Sequence, residues 1–227
     1  MRYLEFMSEP GFQRARSAET KQRRATDLLE SARALAAEGG VNTVTLSAIA
    51  EVAGVHASAV RRYYASRDDI LLTLAAGAWS EWSTHLRERL AQSQDPDIIP
   101  ALLAVTLNER PLFCDLLANA PVRLEREVTP GIALDYKLAA LEASRAIGAS
   151  VDAADPSLGG RGQALVSTAT SLAAMKWQYA HPPAVLEQLY LDDSRLAGLR
   201  TDLVPELTQI LTELITGMRF ASSRTSP

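Results

Sequence analysis

The sequence predicts an all-α protein, and three observations predict it. Ala and Leu dominate a chain of 227 residues in which aromatic residues make up only 6%, a composition suited to packed helices rather than to strands rich in Val, Ile, Thr and aromatics. Apolar residues recur at intervals of three and four over most of the chain. Prolines 96, 111, 130, 183 and 205 fall near predicted helix starts, where the missing N–H removes no hydrogen bond. A hydrophobic content of 47% provides for a core.

Residues 1–20 mix Pro, Gly, Ser and charges without a sustained period and are expected to form a flexible arm. From Lys21 to Glu38, residues Ala25, Leu28, Leu29, Ala32, Leu35 and Ala36 define a first helix that stops at Gly39-Gly40. Thr45 is placed to cap a second helix with Leu46, Ile49, Ala50 and Ala53 inward, broken by Gly54. A third helix is expected over about His56–Tyr64, with Ala59, Val60 and Tyr64 on its inner side. Ser66 with Asp69 resembles a capping box, and Asp68 and Asp69 suit the positive end of a fourth helix running through Leu71, Leu74, Trp79 and Trp82 to about Ala91. Beyond it, helices are expected over 96–109, 111–119, 130–149, 158–180, 183–189 and 203–218.

Net charge is −4, yet Gly11–Arg67 alone carries +4 and the remainder −8. A basic head on an acidic body fits a local anionic partner rather than indiscriminate nucleic-acid binding. Two short helices across a Gly-containing turn, the second ending in Arg61, Arg62, Tyr63 and Tyr64, form the pattern of a helix-turn-helix. From about Arg24 to Leu72 the chain resembles the DNA-binding head of the TetR family of transcriptional repressors. The resemblance is carried by Ala25, Leu29, Gly39-Gly40, the run TLSAIAEVAGV from Thr45 to Val55, Val60, Tyr63-Tyr64, Ser66-Arg67 and Ile70-Leu71. The sequence departs from the family's usual residues at His56, Arg61 and Tyr63; the two arginines shift contacts toward guanine edges or phosphates.

The resemblance implies an arm (1–20), a three-helix helix-turn-helix DNA-binding domain (21–66) and a larger helical ligand-binding and dimerisation domain (67–227), with about nine to ten helices in all. Expected DNA-binding residues are Thr45, Ser47, His56, Ala57, Ser58, Arg61, Arg62, Tyr63 and Arg67. Family position makes Arg61 a base reader and Arg62 a phosphate or neighbouring-groove contact, against the alternative of a solvated face for each. Thr45 serves as a phosphate contact, a plain cap, or both. Arg67 either touches the DNA backbone or pairs with Asp68. Arg14, Arg16, Arg23 and Arg24 either follow the DNA or are solvated.

In the body, Trp79, Trp82, Phe113, Tyr136, Met175 and Trp177 are the candidates for a pocket holding an apolar or aromatic small-molecule effector, the alternative being ordinary core packing. Leu165, Ala169 and Leu172 on one helix and Leu207, Ile210, Leu211 and Leu214 on another are the expected homodimer interface. The expected partners are thus a double-stranded DNA operator, an effector and a second copy.

No metal site or cofactor is expected: the three histidines, His56, His85 and His181, are scattered, and the single cysteine, Cys114, sits in an apolar setting. Enzymatic function is not expected either, since the serines lack a nucleophile elbow, GGRG at Gly159–Gly162 lacks the Lys-Ser/Thr of a phosphate loop, and Asp192-Asp193 is a single acidic pair. No apolar run approaches membrane-span length and the N-terminus has no secretory pattern, so a cytoplasmic location is expected. Use of the helix-turn-helix as a protein contact is the remaining alternative.

Overall fold

The computed structural model describes residues 10–224, with side chains from Glu19 onward. Among the described residues it contains ten α-helices and no strand: α1 (Pro10–Gly39), α2 (Leu46–Val52), α3 (Ala57–Val60), α4 (Arg67–Ala91), α5 (Ile99–Asn108), α6 (Pro111–Asn119), α7 (Pro130–Ala154), α8 (Gly162–Ala180), α9 (Ala184–Asp192) and α10 (Leu203–Ser223).

Two boundaries correct the sequence reading. α1 begins at Pro10, so residues 10–20 of the expected flexible arm are helical; Pro10 needs no intrahelical acceptor at a first turn, and the Gln, Arg, Ala, Glu and Lys residues that follow are good helix formers. Residues 1–9, and the side chains of Arg14 and Arg16, lie outside the described residues. α3 is α-helical only to Val60. Its last turn tightens, with Arg62 N donating to Ala59 O and Tyr63 N to Val60 O, the three-residue spacing in which helices commonly end.

α1 to α3 form the head. Leu28, Ala32 and Ala36 of α1 meet Val41, Val44, Ile49 and Val60 in one buried cluster. Gly54 has φ +64°, the left-handed conformation that ends α2 without cost to a residue lacking a Cβ. α4 then crosses from the head into the body and packs along α7; α10 lies on α5 and α8 on α6 and α7. Between α6 and α7 the chain makes one wide π-helical turn, Ala120–Leu124, which contains Pro121, a residue with no N–H to continue the α ladder.

α7 and α8 touch backbone to backbone. A Cβ at Gly162 would lie 2.2 Å from Gly148 O, and one at Gly148 would lie 2.5 Å from Gln163 N. Gly162 N also donates to Asp152 Oδ1 at 2.8 Å, locking the start of α8 onto α7. At the far end, Arg219 of α10 joins two carboxylates, Asp155 and Asp97, each at 2.8 Å. Burial pushes the Asp155 carboxyl up, but hydrogen bonds from Ser157 and Arg219 outweigh it and leave its pKa below the ordinary value.

α9 is unlike the others: none of its residues is buried. Val185, Leu186, Leu189 and Leu191 are all exposed, and its main packing partner is the turn that follows it.

Gly162→Ala is expected to lower stability by about 1–3 kcal/mol, because the added methyl meets backbone that has no rotamer in which to escape. Urea denaturation of the two proteins under identical conditions measures the difference.

Candidate functional site

The exposed end of the head is built from two caps. Thr45 Oγ1 accepts from Ala48 N at 3.1 Å and starts α2. His56 Nδ1 accepts from Ser58 N at 3.3 Å and lies 3.0 Å from Ser58 Oγ. His56 therefore performs the capping task of a serine, and with Nδ1 accepting, Nε2 is the nitrogen left for an external partner.

Thr45, Ser47, His56, Ala57, Ser58, Arg61 and Arg62 are all exposed. Among the described residues, the side chain of neither Arg61 nor Arg62 has an acidic or hydrogen-bonding partner. Two uncompensated guanidiniums therefore stand at the end of the segment. Tyr63 is half-buried and lines a cleft under α1 with Arg24, Leu28, Ala53, Val55 and Ala59, while Tyr64 is buried and its phenol pKa is raised by that burial. Arg67 differs from its neighbours. Its side chain is only 18% exposed; Nε donates to Asp68 Oδ1 at 2.8 Å and Nη1 to Val44 O at 3.0 Å. The pairing with Asp68 is the alternative that the geometry favours, and Arg67 braces α4 against the turn before α2.

Sequence reasoning missed the residues that join head to body. Asp69, 1% exposed, accepts from Ala65 N at 3.0 Å through Oδ2 and from Thr129 N at 2.8 Å through Oδ1. Ser66 Oγ meanwhile accepts from Asp69 N at 3.0 Å. The expected cap on α4 is present, but the carboxylate reaches past Ser66 and ties the end of the head to the start of α7. Asp115 of α6 makes a second joint: Oδ2 accepts from Val41 N at 2.7 Å, and Oδ1 from Asn119 Nδ2 and Gln178 Nε2, each at 2.9 Å. Arg123 in the π-helical turn adds a contact to Asn42. Asp69 carried a local signal as a cap residue; apart from Asn119, one helical turn on, the partners of Asp115 lie 74 and 63 positions away and nothing in the sequence around it marks them.

In the body, Trp79, Trp82 and Phe113 form a cluster with ring centroids 5.2–5.8 Å apart, Trp79 meeting the other two edge-on and Trp82 tilted against Phe113. Trp82 is fully buried and donates to Thr106 Oγ1 at 3.0 Å. Tyr136 packs beside Trp79, and burial raises its phenol pKa; the buried Trp79 indole nitrogen has no hydrogen-bond partner among the described residues. These four residues of the expected pocket are together, as buried side chains. The other two are not with them. Met175 is 51% exposed, because it sits on the α8 face opposite Ala173 and Ala174. Trp177 is half-buried and stacks on His181, centroids 3.5 Å apart.

The expected dimer residues divide by exposure. Leu165, Ala169, Leu207 and Leu211 are buried within the protomer, and Leu172, Ile210 and Leu214 are half-buried. The strongest apolar stripe of each helix is the one that packs on its own body. The outward side of α8 carries Met175 and Tyr179, and that of α10 carries Phe220, all more than half exposed.

Residues 28–74 match the family model of bacterial regulatory proteins of the tetR family, and residues 76–222 match that of the tetracyclin repressor-like C-terminal domain. The chain belongs to the TetR family. Its fold resembles the fatty acid degradation regulator FadR from Bacillus halodurans, with 14% identity and a TM-score of 0.55 over 86% of this chain and 95% of that one. It also resembles the resorcinol complex of RolR (16%, TM-score 0.52, covering 92% and 98%). A third similar structure is the TetR-family repressor FadR of Thermus thermophilus with lauroyl-CoA (18%, TM-score 0.50, covering 85% and 93%). No curated protein matches the sequence. As a TetR-family chain it is a transcription regulator with an all-α fold and a helix-turn-helix head, and no described helix is long and apolar enough to cross a membrane.

Asp69→Ala leaves two part-buried backbone N–H groups without their acceptor and is expected to cost about 2–6 kcal/mol, at about 1–3 for each lost bond; thermal unfolding followed by circular dichroism checks it. Cys114 is buried and its thiol donates to Leu107 O at 3.3 Å. Burial and the Asp115 charge push its pKa up to about 12 against the opposing pull of Arg110. The thiol form that folding favours thus persists until pH approaches that value. Iodoacetamide at pH 8 is expected to label Cys114 only through unfolding, and mass spectrometry of native against urea-treated protein measures the contrast.

Proposed function

We propose that this TetR-family chain is a homodimeric, ligand-responsive repressor that binds a palindromic operator and is released by a small-molecule effector. The observation that carries the reading is the pair of exposed, unpaired guanidiniums, Arg61 and Arg62, at the end of a capped helix-turn-helix. A charge with no internal partner is available to phosphate and guanine, and one arginine bidentate to guanine is worth about 1–3 kcal/mol of discrimination. Exposed Thr45 and Ser47 at the start of α2 give hydroxyl and N–H groups for a phosphate.

Two heads must reach major-groove faces about 34–36 Å apart, or a multiple of that, so the dimer selects a symmetric site. The outward faces of α8 and α10, with Met175, Tyr179, Phe220 and the half-buried Leu172, Ile210 and Leu214, supply the apolar surface for pairing. The effector acts on the body near Trp79, Trp82, Phe113 and Tyr136, and the similar structures with lauroyl-CoA and with resorcinol support a ligand with a substantial apolar part. Asp69 and Asp115 convert a shift of α6 to α8 into a shift of the head. No enzymatic step is assigned.

Selection of bound fragments from random duplex DNA is expected to enrich a palindrome. Arg61→Ala and Arg62→Ala are each expected to weaken binding to it about 5–150-fold, from 1–3 kcal/mol per contact, with the sedimentation behaviour of the dimer unchanged. Enrichment of no motif, or equal affinity of both variants, rejects the reading.

A further inference from the structure

A cleft of about 140 Å³ opens where α1, α4 and α6 meet. It lies outside the aromatic cluster, with Phe113 as the wall between the two. Leu74, Leu116 and Phe113 give it an apolar floor, and Arg33, Glu81 and Arg110 stand at its edge.

The two arginines are not fully used. Arg33 Nε is shielded from solvent and has no acceptor among the described residues. Its nearest acid, Glu30, is 3.7 Å away, and Glu81 meets only Nη2, at 3.4 Å. Both carboxylates are more than half exposed, 64% and 60%, and such long surface pairs contribute little. Arg110 is anchored through Nη1, which donates to Thr106 O at 2.9 Å and lies 3.8 Å from the half-exposed Glu109 carboxylate, while its Nε and Nη2 make no hydrogen bond among the described residues. A buried N–H donor without an acceptor is rare in folded proteins and destabilising. A turn of the Arg33 head away from Glu81 and toward the cleft exposes Nε to an acceptor there and removes that cost.

We propose that this cleft binds a small monocarboxylate with an aromatic or short aliphatic body. The carboxylate takes the fork of Arg33 together with the free edge of Arg110, the planar geometry that guanidinium matches best. The apolar body lies on Leu74, Leu116 and Phe113. Glu81 turns to the water it already faces, and its charge disfavours a dianion such as phosphate, which would also leave the apolar floor uncovered. Because one wall is α1 and the others are α4 and α6, the ligand bridges the head and the body. The binding claim rests on the cleft alone; only its effect on DNA depends on the regulator reading.

The test uses the full chain without DNA and benzoate as the probe, with hexanoate as the aliphatic probe and benzamide as a neutral molecule of the same shape. Saturable binding of one benzoate per chain is expected by calorimetry, together with a shift of the Arg33 Nε–H signal in a proton–nitrogen spectrum. Benzamide is expected to bind at least about tenfold more weakly, and Arg33→Gln and Arg110→Gln each to lose about tenfold or more in affinity, the loss of a charge-assisted bond. Arg110→Lys retains the charge without the fork and serves if the glutamine variants unfold; Leu112→Trp, on the rim, fills the cleft and is expected to block both probes. The absence of a saturable Arg33 signal with either carboxylate overturns the proposal, as does binding that survives Leu112→Trp. Benzoate binding that leaves operator affinity unchanged upholds the cleft and counts against its part in release, whereas failure of operator binding itself bears on the regulator reading alone.

Discussion

The carboxylate of Asp69 is the constraint on which the arrangement of head and body depends. A buried carboxylate is costly unless hydrogen bonds replace its water, and here those bonds come from opposite sides: Ala65 closes the helix-turn-helix, and Thr129 opens α7. The group cannot keep both partners while the two parts move independently. Asp115 repeats the principle on the other flank, where Val41 of the head and Gln178 of α8 share one side chain. α4 is therefore held to the body at its first turn, and the head is supported at two points rather than hinged on one helix.

The body solves a related problem with aromatic residues. Trp82 could be sealed inside only because Thr106 receives its N–H, and Thr106 in turn donates to Leu102 O at 2.7 Å. Trp79 and Phe113 stack edge-on beside it, at distances that favour opposed quadrupoles. With the large rings committed to one another, the two arginines and the short apolar floor next to Phe113 remain the place where the surface is incompletely satisfied. That contrast follows from the chemistry of the side chains: rings complete one another by packing, whereas a guanidinium needs an acceptor.

The parts of this structure legible in the sequence are those set by neighbours in the chain. Thr45, Gly54 and Ser66 mark α2 and α4 because caps and left-handed turns are local events. The basic end at Arg61 and Arg62 is legible for the same reason, as exposure on a four-residue helix follows from the apolar side at Ala59 and Val60. Periodicity is less informative about α8 and α10. It shows that Leu165, Ala169, Leu207 and Leu211 share a face with other apolar residues, but not which surface that face meets, and the protomer's own core claims it. The side of α8 that Met175 occupies is not legible either, since an apolar side chain at helical spacing can occupy either side of a helix with small inward neighbours such as Ala173 and Ala174. The long-range halves of the joints, Asp69 to Thr129 and Asp115 to Val41 and Gln178, lie beyond any window, because these partners are brought near only by the completed fold.

The bare backbone contact between Gly148 and Gly162 restricts how this molecule moves. Side chains between two helices act as a compliant layer, changing rotamer to let one slide past the other, and here that layer is missing. With Gly162 N fixed to Asp152 as well, α7 and α8 behave as a single stiff plate near their junction. Displacement of the body has to pass around that plate, through α4, α6 and the π-helical turn, and these are the elements that carry Asp69, Asp115 and Arg123.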